Sequence, residues 1–130
     1  MKIDVSETGG CVIVRLGERR LDHEISAKFR DTVLERARSL QHVLVLDLSA
    51  VEFIDSSGLG AIIGLRKRLG WSIRIVLAGL RSPVYRVFEL ATVTSIFTFY
   101  TSVEAALGHM GVAPNADAAP PQEPNRASGD

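Results

Sequence analysis

The sequence predicts a small α/β domain with a mixed, mainly parallel sheet of about four to five strands and about four helices. Segments with apolar residues at helical spacing alternate with short apolar runs typical of strands. Strands separated by helices need crossover connections, which place consecutive strands parallel to one another. Hydrophobic residues form 46% of a chain of 130 residues, which is enough for one core but not for two.

The first half of the chain predicts a hairpin, a helix and an interior strand. Residues 2–5 and 11–16 resemble strands, and the glycine pair between them supplies the positive φ that a tight hairpin needs. Apolar residues recur every four positions over 24–39, which favours an amphipathic helix. The nearly uninterrupted apolar run at 43–48 is typical of a strand covered on both faces.

The second half repeats the alternation of helix and strand. A helix is predicted over residues 57–69, with the basic residues near its end, Arg66 among them, facing water. Ser82 can cap a third helix, and Pro83 fits its first position. The remaining elements are a strand at 73–78, a strand at 96–100 and a short final helix opened by a capping box at 101–104.

The composition changes near residue 113. Four of the five prolines lie in the last 18 residues, where few apolar side chains could anchor a core. Because little apolar area is available to offset the entropy of ordering, residues 113–130 are predicted to be a disordered tail. The folded domain is therefore expected to span residues 1–112.

Charge and cysteine content exclude several classes of protein. The 15 basic and 15 acidic residues give a formal net charge of zero, which argues against a nucleic-acid partner. The single cysteine, Cys11, excludes a disulfide framework and a zinc site made of cysteines. We find neither an apolar run long enough to cross a membrane nor a signal peptide. A cytoplasmic protein without membrane insertion is expected.

One segment carries the candidate site, because residues 51–64 lie where a buried strand ends and a helix begins. Open α/β sheets tend to bind their ligands at this position. Ser56 or Ser57 is expected to be the N-cap, with a hydroxyl facing outward beside unpaired amides. Helix capping without any further function would also explain the pattern. Gly58, Gly60 and Gly64 would let a partner approach the helix closely.

Enzyme sites fit this segment poorly. A hydrolase nucleophile elbow needs glycine where Ile54 and Asp55 stand. A dinucleotide-binding fingerprint would need its third glycine one position before Gly64, although a nucleotide-binding module remains an alternative. The histidines are scattered and show no metal-ligand spacing. We therefore expect no catalytic residue, metal or cofactor.

Two adjoining segments resemble a known family. Residues 43–49, Val-Leu-Val-Leu-Asp-Leu-Ser, and residues 53–60, Phe-Ile-Asp-Ser-Ser-Gly-Leu-Gly, are similar to the signature of the STAS domain, which is named after sulphate transporters and anti-sigma factor antagonists. The resemblance extends over nearly all of residues 1–112. It implies the STAS fold for the domain predicted above.

The resemblance also implies a partner-switching protein, an anti-sigma factor antagonist. Such a protein binds an anti-sigma factor that is also a serine kinase, and the sigma factor is released. The kinase then phosphorylates a serine, which ends the binding, and a serine phosphatase restores it. By its place in the motif, the phosphorylated residue is Ser56, with Ser57 as the alternative. The implied partner-binding residues are Asp22, Asp55, Ser56, Ser57, Gly58, Leu59, Gly60 and Gly64.

Two points stay open at this stage. Asp22 matches a family aspartate near the phosphorylated serine, but it could equally cap the helix predicted from residue 24. The stretch 17–22 is two residues longer than the family's usual Gly-x-Leu-Asp run, which could alter the choice of partner. The alternative function is that of a non-switching STAS subunit in a signalling scaffold or a membrane transport complex. A monomer or a weak dimer is expected.

Overall fold

The strands and helices follow the predicted alternation along the chain. The computed structural model describes residues 1–37 and 43–111. The strands are β1 (Ile3–Thr8), β2 (Cys11–Leu16), β3 (Arg20–Leu21), β4 (Val43–Asp47), β5 (Phe53–Ile54), β6 (Arg74–Ala78) and β7 (Thr98–Tyr100). The helices are α1 (Ser26–Arg36), α2 (Ser56–Leu69), α3 (Ser82–Leu90) and α4 (Val103–His109), with a single 3₁₀ turn at Thr94–Ile96.

Five of these strands form the main sheet in the order β1-β2-β4-β6-β7. Strand β1 is antiparallel to β2, and the other neighbouring pairs are parallel. The prediction of a mixed, mainly parallel sheet with four helices is therefore confirmed. Parallel strands end at a common edge, so the segments that follow β2, β4 and β6 meet there. The candidate site lies on this edge.

Helices cover both faces of the sheet, as the apolar run of β4 predicts. Leu44 and Leu46 belong to the larger core, which α1, α2 and α3 close with side chains such as Phe29, Ile62 and Phe88. Between them, Val45 points to a smaller cluster under α4. Alternate β4 residues thus face opposite layers, which fixes the register of the strand.

The turn between α2 and β6 corrects one expectation. Arg66 does not face water, since only 5% of the residue is exposed, and its guanidinium donates hydrogen bonds to the carbonyl oxygens of Gly70 and Ile73. These bonds tie the end of α2 to the segment that leads into β6. Trp71 is 74% exposed, and the centre of its ring lies 4.6 Å from the Arg66 guanidinium carbon.

The ends of the elements differ from the sequence prediction by a few residues. Helix α1 begins at Ser26, two residues later than predicted, and the end predicted at residue 39 lies outside the described residues. The predicted disordered tail, residues 113–130, also lies outside them. In the ranges that the structure does describe, no helix has the length and apolar character needed to cross a bilayer.

Candidate binding site at the start of helix α2

Asp55 starts helix α2. Its backbone is extended, and its Oδ1 accepts a hydrogen bond of 2.9 Å from the Gly58 N–H, which makes Asp55 the N-cap. The prediction that Ser56 or Ser57 caps the helix is therefore wrong, since both serines lie inside its first turn. Both hydroxyls are consequently left out of the cap.

The second oxygen of Asp55 holds the loop that precedes α1. Its Oδ2 accepts a hydrogen bond of 3.0 Å from the His23 N–H, and the His23 Nδ1 lies 3.9 Å from the same oxygen. The Asp55 N–H in turn donates to the carbonyl oxygen of Leu21 at 3.4 Å. The Asp55 carboxylate thus holds the loop at the start of α2. Asp22 and Asp55, both predicted to bind a partner, therefore lie at the same edge of the sheet.

Asp22 closes the turn before α1. Its Oδ1 accepts from the Glu24 N–H at 3.1 Å, and its Oδ2 accepts from Arg20 Nε at 3.3 Å. The N-cap of α1 is Ile25, which makes no side-chain capping bond. The side chain of Asp22 therefore does not cap the helix itself, although its backbone oxygen accepts from the Ser26 N–H at 2.9 Å.

These contacts change the acidity of Asp22. Partial burial alone would raise its pKa, but hydrogen bonds from Arg20 and the Glu24 N–H, with the charges of Arg20 and His23, outweigh it and hold the pKa below the usual value. Because the folded pKa is depressed, the stabilising contribution of this carboxylate is present above its unfolded pKa. It is lost as the pH falls through the lower folded value.

We expect Arg20→Ala to move the pKa of Asp22 upward, since the variant removes a hydrogen bond and a neighbouring positive charge. Carbon-detected NMR of the carboxyl group through an acid titration measures this. Arg19→Ala is the matched control, because Arg19 pairs with Glu52 at 3.1 Å. An unchanged Asp22 midpoint in the Arg20 variant would contradict the assignment.

The residues that open α2 differ in their access to solvent. Ser56, Ser57 and Gly60 are exposed. A methyl group at Gly60 would meet no other atom within 4 Å, so this position offers a partner a flat approach to the helix backbone. Leu59 is partly buried and packs against the main core.

Two of the predicted partner-binding glycines face the protein instead. Gly58 is buried, and a Cβ there would lie 2.2 Å from the carbonyl oxygen of Leu21 and 2.8 Å from Ile54 Cγ1. Gly64 faces helix α1, where a Cβ would lie 3.5 Å from Arg30 Cδ. The missing side chain of Gly58 lets the loop approach α2, whereas a methyl group at Gly64 would make only an ordinary contact with α1. Since both positions face the protein, the predicted open face is reduced to Gly60.

One contact between side chains, in the segments that precede Asp22 and Asp55, has no signal in the sequence. The Arg20 guanidinium lies 4.2 Å from the centre of the Phe53 ring, and next to it Arg19 pairs with Glu52. Strands β3 and β5 hold this pair in register, yet each strand has only two residues. No periodic pattern can indicate so short a ladder.

A metal centre is not formed at this edge. Within residues 1–37 and 43–111, no three histidine, cysteine or acidic side chains are close enough together to hold a metal ion. The arrangement is an exposed surface, in which two serine hydroxyls and a helix N-terminus lie beside a loop held by Asp55.

Comparisons with known proteins find relatives of similar sequence and fold. An anti-sigma F factor antagonist of Paenibacillus polymyxa is 31% identical over 116 residues, which cover 86% of this chain and 97% of that protein. The structure of an anti-sigma factor antagonist from Mycobacterium paratuberculosis has a TM-score of 0.69 at 26% identity, covering 82% of this chain and 90% of that one.

A third similarity concerns the fold alone. The Bacillus cell fate determinant SpoIIAA in its phosphorylated form has a TM-score of 0.60 at 21% identity, covering 84% of this chain and 99% of that one.

The family model described as the STAS domain matches residues 2–106. With this match over most of its length, the chain belongs to the STAS domain family.

Proposed function

We propose that the protein is an anti-sigma factor antagonist in a partner-switching pathway of the cytoplasm. The unmodified protein binds an anti-sigma serine kinase and so releases its sigma factor, and phosphorylation of Ser56 ends this binding until a serine phosphatase removes the phosphate. The protein acts by binding rather than by catalysis. The observation that carries the proposal is the exposed serine pair at the start of α2. Asp55 caps this helix, so neither serine hydroxyl is used as the cap.

Ser56 lies where a kinase could reach its hydroxyl. In the part of the chain that the structure describes, neither serine hydroxyl accepts or donates a hydrogen bond that would have to be broken. Ser56 directly follows the N-cap, and the first helical bond runs only from the Leu59 N–H to the Asp55 oxygen. Among the described residues, the N–H groups of Ser56 and Ser57 have no hydrogen-bond partner, so they are available to a phosphate at this position.

The same position lets the isolated domain carry the phosphate. Phosphorylation adds about −1.5 to −2 charges at pH 7. The positive end of the helix dipole and the first-turn amides favour this charge and counter its repulsion from Asp55. SpoIIAA, which shares the fold, has been solved in a phosphorylated form. We therefore expect modification without unfolding.

At a close-packed interface the phosphate acts in the opposite direction. It is bulky, and its charge must lose water when a partner covers it. A penalty of about 2–4 kcal/mol would weaken the affinity by roughly 30- to 1,000-fold. That range is sufficient to exchange one partner for another without a large movement of the domain.

Phosphopeptide mapping tests the proposal. With the anti-sigma kinase and ATP, the wild-type protein is expected to gain one phosphate on Ser56, Ser57→Ala is expected to be modified equally, and Ser56→Ala is expected to remain unmodified. Modification of Ser56→Ala at wild-type level would move the role to Ser57. Absence of phosphate from all three proteins, and from protein isolated from its native cell, would instead support a non-switching STAS subunit.

A further inference from the structure

The four side chains of the short ladder between β3 and β5 face in two directions, one into the core and one towards solvent. Leu21 and Ile54 pair in register and are buried in the main core. Arg20 and Phe53 pair in register beside them and are exposed. The buried half anchors the ladder, so the exposed half is held in one place rather than on a loose loop.

Arg20 and Phe53 form a flat surface, which we call the Arg20–Phe53 platform. The guanidinium carbon lies 4.2 Å from the ring centre, a distance typical of a cation–π contact. The single hydrogen bond of Arg20 to a described residue uses Nε, which leaves the outer nitrogens available. The Arg20 side chain is 61% exposed and Phe53 is 42% exposed, although Phe53 is a large apolar residue.

The platform lies close to the proposed switch along the chain. Phe53 precedes Ser56 by three residues, and Arg20 binds Asp22 in the loop that Asp55 holds. A groove of about 390 Å³ is lined by Arg20 together with Lys2, Glu18 and Ile25. Three residues span at most about 11 Å, so a partner that covers Ser56 with an interface of ordinary size would also reach the platform.

We infer that the Arg20–Phe53 platform determines which anti-sigma partner binds, by receiving a carboxylate side chain that stands next to an apolar one. A guanidinium binds a carboxylate through two parallel hydrogen bonds, while the adjoining apolar group covers the ring. Lysine at position 20 could supply neither the planar fork nor the same stacking. The inference rests on the proposed function, because it assigns a feature of the partner that binds at Ser56.

The test compares affinities for the anti-sigma kinase by calorimetry. Arg20→Glu is expected to weaken binding by about 10- to 100-fold, because it places like charges opposite one another. Arg20→Lys and Phe53→Ser are expected to weaken it by about 3- to 10-fold, within the range for lost interface contacts. In a double variant with Arg20→Lys and Phe53→Ser, the two losses of binding free energy should be less than additive, because the two side chains are in contact.

Two controls separate this inference from the proposed function. Arg68→Glu reverses a charge twelve residues along α2 from Ser56, about 18 Å away. It should bind like the wild type, and Ser56→Asp should bind weakly. If Ser56→Asp binds weakly while the folded Arg20 and Phe53 variants match Arg68→Glu, the platform inference is wrong. If Ser56→Asp itself binds like the wild type, the proposed switch fails first.

Discussion

Ser56→Asp is expected to weaken binding to the anti-sigma kinase by about 10- to 100-fold, somewhat less than a phosphate, since it brings one negative charge and less bulk. Ser56→Ala is expected to bind like the unmodified protein and to stay bound in the presence of ATP. The physical reason is the exposed position of Ser56 at the start of α2. A negative group there must lose its water when the partner covers it.

Stability serves as the internal control for this variant. A carboxylate in the first turn of a helix interacts favourably with the helix dipole, by about 0.3–1 kcal/mol. Ser56→Asp should therefore unfold at the same temperature as the wild type or slightly above it. Ser57→Asp is the positional control and should have the smaller effect on binding. Equal loss of binding in both variants would indicate a general charge effect rather than a specific residue.

Gly58→Ala is expected to lower the free energy of unfolding by about 2–3 kcal/mol, within the range for overpacked cores. The new methyl group would lie 2.2 Å from the backbone oxygen of Leu21, which cannot move aside as a flexible side chain could. Leu21 also leads into the loop that carries Asp22 and His23. The strain should therefore displace the loop from Asp55 and weaken partner binding as well.

Gly60→Ala is the matched control for Gly58→Ala, two positions along the same helix. Its methyl group would meet nothing within 4 Å, and alanine is a better helix former than glycine by about 1 kcal/mol. Urea denaturation should place the Gly60 variant at or above the wild type. If Gly58→Ala is as stable as Gly60→Ala, the close approach of Leu21 to α2 is not as described.

The elements with long apolar patterns could be predicted from the sequence. The run 43–48 and the helical spacing around Phe29 reflect burial, which dominates their energetics. The N-cap could not be placed as surely, because aspartate and serine are equally good caps and stand next to each other here. One hydrogen bond from Gly58 to Asp55 decides between them, and it exists only in three dimensions.

Arg66 shows a second limit of sequence patterns. Its position next to Lys67 and Arg68 indicates a solvated face, yet its guanidinium is buried and donates to the carbonyl oxygens of Gly70 and Ile73 in the turn after the helix. Similarly, the Arg20–Phe53 platform joins residues 33 positions apart through strands too short for any periodicity. The motif residues thus indicate the candidate site, whereas its borders depend on long-range contacts.

The affinity of the anti-sigma kinase for the phosphorylated protein tests the central claim most directly. The protein would be phosphorylated on Ser56 to completion, verified by mass spectrometry, and titrated by calorimetry beside the unmodified protein. We predict a Kd weaker by roughly 30- to 1,000-fold after phosphorylation. Equal Kd values for the two forms would contradict the account, because the phosphate on Ser56 would then not control which partner is bound.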